Sequence, residues 1–136
     1  MEDFVTFEIA KKLKEKGFSE LCLAYYTNDD TLYYNYSHKA GASYTDCYLS
    51  HNLMPKDSVS GKFVDSPTIS RVLKWLREEK DIYITIFIDD DSDTPVTYEI
   101  YKGIECVCTH QGEYFTLKDW DKCELRAVEY TLDNLI

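Results

Sequence analysis

Residues 82–102 read Ile82-Tyr83-Ile84-Thr85-Ile86-Phe87-Ile88, then Asp89-Asp90-Asp91-Ser92-Asp93-Thr94-Pro95, then Val96-Thr97-Tyr98-Glu99-Ile100-Tyr101-Lys102. Isoleucine at every second position has the period of a strand buried on one face, with Tyr83, Thr85 and Phe87 on a second, partly covered face. The acidic run that ends in Pro95 cannot continue the strand, because its carboxylates need solvent and Pro has no N–H for a ladder. Alternation resumes at Val96, so the two segments are predicted to form an antiparallel hairpin. Lys102-Gly103 then turns the chain into a third strand over Ile104–Thr109.

Helices are predicted on both sides of this sheet. Upstream, Ser66-Pro67 is a start signal: Ser caps free amides, and Pro tolerates the first helical position. Ile69, Val72, Leu73 and Leu76 share one face, Trp75 lies on its flank, and Arg71, Lys74, Arg77 and Glu78 face outward, with an end near Lys80. Downstream, Asp119 caps a helix running to Ile136, with Leu125, Val128, Leu132 and Leu135 on one face and Cys123, Ala127 and Tyr130 beside it. An apolar arc this wide is buried against the sheet or against another chain.

The first half repeats the order of elements without a residue-level repeat. Val5, Ile9 and Leu13 recur at helical spacing after Asp3 as a cap, and Gly17 suits the left-handed stop that folds Phe18 back onto Leu13. Leu21–Tyr26 and Thr31–Ser37 flank the turn-forming Thr27-Asn28-Asp29-Asp30 and read as a β-hairpin, which Ser43–Leu49 extends. Residues 50–66 show no sustained period and read as an irregular loop. The expectation is a single α+β domain over residues 1–136, with a largely antiparallel sheet, three helices and the order α-β-β-(β)-α-β-β-(β)-α.

Composition narrows the function classes. The 136 residues are 44% hydrophobic and 29% charged, which excludes a wholly disordered, collagen-like or coiled-coil chain. At this length about two thirds of the unfolded surface can be buried, so no disulfide or metal staple is needed. No apolar run reaches the ~18 residues of a membrane span. The start Met1-Glu2-Asp3 carries acid where a secretory signal carries Lys or Arg, so the expected location is the cytoplasm. Five cysteines, Cys22, Cys47, Cys106, Cys108 and Cys123, are odd in number and lack a CxxC, so they read as reduced thiols.

The formal charge of −10 is uneven: residues 1–66 hold 7 basic and 10 acidic groups, residues 67–136 hold 8 and 15. Such a field repels phosphate backbones, so no direct duplex nucleic-acid binding is expected and basic partners are favoured. The plain alternative is that the acidity only keeps the protein soluble.

Glu8-Ile9-Ala10-Lys11-Lys12-Leu13-Lys14-Glu15-Lys16-Gly17-Phe18, Pro67-Thr68-Ile69-Ser70-Arg71-Val72-Leu73-Lys74-Trp75-Leu76-Arg77-Glu78 and the final Ala127-Val128-Glu129-Tyr130-Thr131-Leu132 resemble a family of small proteins of bacteriophages and prophages. Versions occur on mobile elements of gut Bacteroidales. The likeness lies in helix caps and helix faces, so it implies origin and layout and carries over no catalytic residue. The stretch 37–66 is longer here than in the family pattern, and Asp121-Lys122-Cys123 stands where the family tends to have Glu-Glu-Ala.

Each constellation that could carry chemistry has a plainer reading. Cys106, Cys108 and His110 would lie on one face of a strand, and Cys47 with His51 could complete a zinc set. Cysteine is also among the most buried residue types, so a pair of core thiols is the simpler account. Asp89, Asp91 and Asp93 match positions one, three and five of an EF-hand loop, but Thr94 and Ile100 stand where Gly and Glu are needed, which leaves a solvated acidic turn. Glu78-Glu79-Lys80 has a nuclease-like spelling but ends a helix. No GxSxG elbow or glycine-rich phosphate loop organises a nucleophile, so no catalytic residue and no cofactor is assigned.

Twelve tyrosines are the most unusual feature of the composition. Alternation puts some of Tyr25, Tyr26, Tyr33, Tyr34 and Tyr36 on each face of the first hairpin. Without interleaved cations, the outward ones suit a protein partner better than single-stranded bases. The expected partner surface is Tyr25, Tyr33, Tyr34 and Tyr36 with Asp89, Asp90, Asp91 and Asp93, docking a basic protein. A homo-oligomer through the last helix, an acidic mimic of nucleic acid, and a divalent-metal enzyme built on the Asp or Cys/His groups are the alternatives.

Overall fold

Thr6 accepts a hydrogen bond from the Ile9 amide at 3.3 Å and so starts the first helix, three residues after the expected cap Asp3, in the computed structural model of the chain. The structure describes residues 3–27, 30–37, 45–46, 63–89, 92–109 and 112–136. The elements are α1 (Phe7–Glu15), β1 (Ala24–Tyr26), β2 (Leu32–Tyr34), β3 (Tyr36–Ser37), β4 (Thr45–Asp46), β5 (Val64–Ser66), α2 (Ile69–Lys80), β6 (Ile82–Ile88), β7 (Val96–Lys102), β8 (Glu105–Thr109) and α3 (Trp120–Asn134). This is an α+β fold with antiparallel pairing throughout its described strands. Two compact units are present, Phe4–Thr68 and Met1–Asp3 with Ile69–Ile136.

In the unit Phe4–Thr68, α1 ends as its sequence dictates. Gly17 sits at φ +90°, the Phe18 amide donates to the Leu13 carbonyl at 2.9 Å and the Gly17 amide to Lys14 at 3.2 Å. This is the two-bond left-handed stop, and it delivers Phe18 into the core, where Leu13 is buried too. The expected hairpin forms with Ala24 opposite Tyr34, Tyr25 opposite Tyr33 and Tyr26 opposite Leu32.

Two expectations are corrected here. Thr31–Ser37 is not one strand: buried Asn35 interrupts it, its amide donating to Leu23 at 2.7 Å and its side chain to the Cys22 carbonyl at 2.8 Å. Tyr36–Ser37 then pairs with Thr45–Asp46 in a ladder of its own. The end of the segment read as a loop is a strand, because Val64–Ser66 pairs with β1 and completes the order β2-β1-β5. Its earlier residues, 50–62, lie outside the described set, as does most of Ser43–Leu49.

In the unit containing Ile69–Ile136, the 82–102 hairpin forms in full register, from Ile82 opposite Lys102 to Ile88 opposite Val96. β8 adds to β7, giving the order β6-β7-β8. α2 and α3 pack on β6 and on each other, and α3 also packs on β7. They cover the sheet face that carries Ile82, Val96, Tyr98 and Ile100, all nearly or wholly buried. At about 1.5–3 kcal/mol for each large apolar side chain removed from water, this face is the principal source of the unit's stability.

The helix boundaries and faces differ from expectation in physical detail. α2 begins at Ile69 and not at Ser66-Pro67, since Ser66 is spent in β5 and its hydroxyl donates to the Val5 carbonyl at 3.3 Å. Trp75 is in the core and Leu73 is half-buried, so the buried stripe is rotated toward Trp75. In α3 the buried face is Cys123, Ala127, Val128, Thr131 and Leu132, while Leu125 and Leu135 are half-buried. Thr131 fits that face because its hydroxyl donates to the Ala127 carbonyl at 2.9 Å. Asp119 precedes α3 without a side-chain cap bond.

Candidate functional site

The tyrosines of the first hairpin divide between its two faces, as alternation requires. Tyr26 and Tyr34 share one face: Tyr26 donates to the Val5 carbonyl at 2.7 Å and meets Phe7 of α1, and Tyr34 meets Phe4 edge-on at 5.6 Å. Tyr25 and Tyr33 stack on the other face at 5.7 Å, with Phe63 5.0 Å from Tyr25. Tyr33 and Tyr34 are 44% and 42% exposed, and Tyr25 is half-buried. The structure therefore brings Tyr25 and Tyr33 together, turns Tyr34 to packing on the opposite face, and places Tyr36 in β3.

Of the acidic tip, Asp89 and Asp93 are exposed at the β6–β7 turn, and Asp90 and Asp91 lie outside the described residues. The Asp89 amide donates to the Pro95 carbonyl at 2.8 Å, and the Tyr114 hydroxyl approaches Asp89 Oδ2 at 3.4 Å. The flanks of this turn are strands. Its residues belong to a different unit from the tyrosine hairpin.

The cysteine pair on β8 is not on one face. The ladder shifts between Ile100 and Tyr101, which pair with Cys108 and Cys106, so Val107 is an extra residue that breaks alternation. Cys106 is exposed and Cys108 buried as a result. The Cys108 thiol donates to the Thr109 carbonyl at 3.3 Å. Burial pushes the Cys123 thiol up to about 12, with Glu124 and Glu113 adding to the shift. Among the described residues no group of three or more His, Cys, Asp or Glu side chains could hold a metal ion. Cys47, His51 and His110 lie outside that set.

A second surface was only partly legible in the sequence. The face of the β6-β7-β8 sheet opposite the helices carries two cross-strand rows, Tyr83–Tyr101–Cys106 and Thr85–Glu99–Thr109. Tyr83 is 40% exposed, and Thr85, Cys106 and Thr109 are exposed. Tyr101 donates its hydroxyl to Glu99 Oε2 at 2.6 Å. That bond, with the carboxylate's charge, pushes the Tyr101 phenol up to about 12. Alternation identified Tyr83, Thr85 and Phe87 as one face, but nothing in a period of two says whether other elements cover it. At the end of this face Thr97 is buried, because its hydroxyl donates to the Glu113 carbonyl at 2.9 Å and Phe115 bridges to Val96. Arg126 fixes that covering segment by pairing with Glu113 at 2.8 Å.

Charge separates the two units. Met1–Asp3 with Ile69–Ile136 holds 8 basic and 17 acidic groups, net −9, against 7 and 8, net −1, in Phe4–Thr68. No helix among the described residues is long and apolar enough to cross a membrane. The site and fold thus define an acidic α+β protein with accessible aromatic side chains. Comparison with family models, curated proteins and solved structures found no match to the chain, so its function is argued from these surfaces.

Proposed function

We propose that the protein is a non-enzymatic binding module that docks on a basic protein partner through an acidic, tyrosine-rich surface, as an accessory protein of a phage or mobile element. The concentration of net charge −9 in the one unit that also exposes Asp89, Asp93 and Tyr83 is the observation that carries this reading. A field of that sign draws in cationic surfaces and repels phosphate. Tyrosines add contact area at small entropy cost, and Tyr33, stacked on Tyr25 and partly exposed, offers such a ring. The likeness of residues 8–18 and 67–78 to small phage and prophage proteins supports the accessory role.

The same charge favours a second reading, an acidic mimic of nucleic acid that occupies a DNA- or RNA-binding protein. Capture from bacterial lysate by the tagged chain at low and high salt, with Tyr33→Ser and Asp89→Asn/Asp93→Asn variants alongside, tests both. Docking predicts one basic protein held at high salt and lost with the variants. Mimicry predicts capture that fails at high salt and is competed by duplex DNA. Equal recovery by the wild type and all variants would rule out both assignments of the surface.

A further inference from the structure

The helix-free face of the β6-β7-β8 sheet combines three features that select one kind of group. Its aromatic row, Tyr83 opposite Tyr101, presents ring surface with Tyr83 40% exposed. Glu99 lies about 7 Å further along β7 on the same face, two residues from Tyr101. Among the described strand residues of this face Glu99 is the only charged one, and Thr85 and Thr109 flank it with side chains too short to cover it. The Tyr101 hydroxyl holds Glu99 Oε2 at 2.6 Å, so the carboxylate is oriented before any partner arrives.

An oriented carboxylate beside exposed ring surface matches the planar fork of a guanidinium. Arginine is weakly hydrated, stacks on tyrosine and pairs bidentately with carboxylates, whereas the lysine ammonium is a strongly hydrated point charge that gains less from a ring. The surrounding unit, net −9, supplies the long-range attraction. We infer that this face is the docking surface for an arginine-bearing segment of the basic partner, with the guanidinium over Tyr83 and Tyr101 and its N–H groups directed to Glu99. The inference rests on the reading that the partner is basic, and it extends the contact within this unit from the Asp89–Asp93 tip onto the sheet.

The test is a titration of the isotope-labelled full chain with two short peptides of equal length and charge, one arginine-rich and one lysine-rich, followed by NMR. The expected result is amide shifts concentrated at residues 83–87, 97–101 and 106–109, with arginine bound several-fold more tightly than lysine. Glu99→Gln and Thr85→Lys, the latter placing an ammonium directly opposite Glu99, should each weaken the arginine peptide about tenfold while circular dichroism shows an unchanged fold. Equal affinity for the two peptides, or shifts confined to residues 89–93 or to the Tyr25–Tyr33 stack, would overturn the inference while leaving a basic partner in place. Absence of any shift at low ionic strength would remove the inference and the basic-partner reading together.

Discussion

Tyr98 stands opposite Ile86 in the β6–β7 ladder and is wholly buried, yet its hydroxyl has no hydrogen-bond partner among the described residues. Burial pushes this phenol up to about 12, with the Glu113 carboxylate adding to the shift and Arg126 opposing it. An unfolded tyrosine ionises near 10, so between those values the unfolded chain gives up a proton that the folded chain keeps. Folding stability is therefore untouched by this titration below pH 10 and falls as pH rises toward 12, by about 1.4 kcal/mol per pH unit. Tyr98→Phe removes both the hydroxyl and the titration. At neutral pH it should raise unfolding stability by about 1 kcal/mol, since a buried hydroxyl without a partner costs its desolvation. Its advantage over the wild type should widen above pH 10. Urea unfolding at pH 7 and in the alkaline range measures both, and a destabilised Phe variant would mean that the hydroxyl is satisfied in solution.

At the scale of elements, α1 is held at each end by one residue whose role is separable from packing. Thr6→Ala removes the bond to the Ile9 amide and should cost about 1 kcal/mol. Gly17→Ala meets no steric neighbour within 4 Å, so its cost of about 1 kcal/mol comes from the φ of +90° alone. Chemical denaturation of both variants, with the double variant close to additive, checks that the two ends act independently. The contrast between these ends shows what local sequence can carry. Gly17-Phe18 announces the stop because only glycine sits easily at positive φ, whereas Asp3 and Thr6 are both competent caps and tertiary pairing chooses between them. Ser66-Pro67 has the composition of a helix start, but Ser66 becomes strand because β1 offers it a ladder. In α2 the packing buries Trp75 and leaves Leu73 half-buried, a choice between flanks that periodicity alone does not make. The 82–102 hairpin was legible in full because its period of two, its polar turn and its length all point the same way.

For the whole molecule, the acidic balance was legible from counting, but its confinement to one unit and the accessibility of the Tyr83–Tyr101 face depend on which elements cover which surfaces. Periodicity assigns residues to faces and is silent on what lies above them, so Glus and tyrosines of the same sheet could not be ranked before the fold was known. The charge asymmetry has a mechanical consequence of its own. Seventeen acidic against eight basic groups in the unit containing Ile69–Ile136 repel one another in the folded state, while the unit Phe4–Thr68, at net −1, has almost no such burden. Salt shortens the range of that repulsion to about 10 Å at 0.1 M and relieves it in proportion to local charge. Native-state hydrogen exchange at rising sodium chloride should therefore show amides of β6, β7 and α3 gaining protection, while those of α1, β1 and β2 change little. Equal gains in both units would mean that the two open in a single global event, and the charge would then act on the chain as a whole. A gain confined to residues 69–136 would establish that the acidic unit carries a stability deficit at low salt, which a cationic partner would relieve on binding.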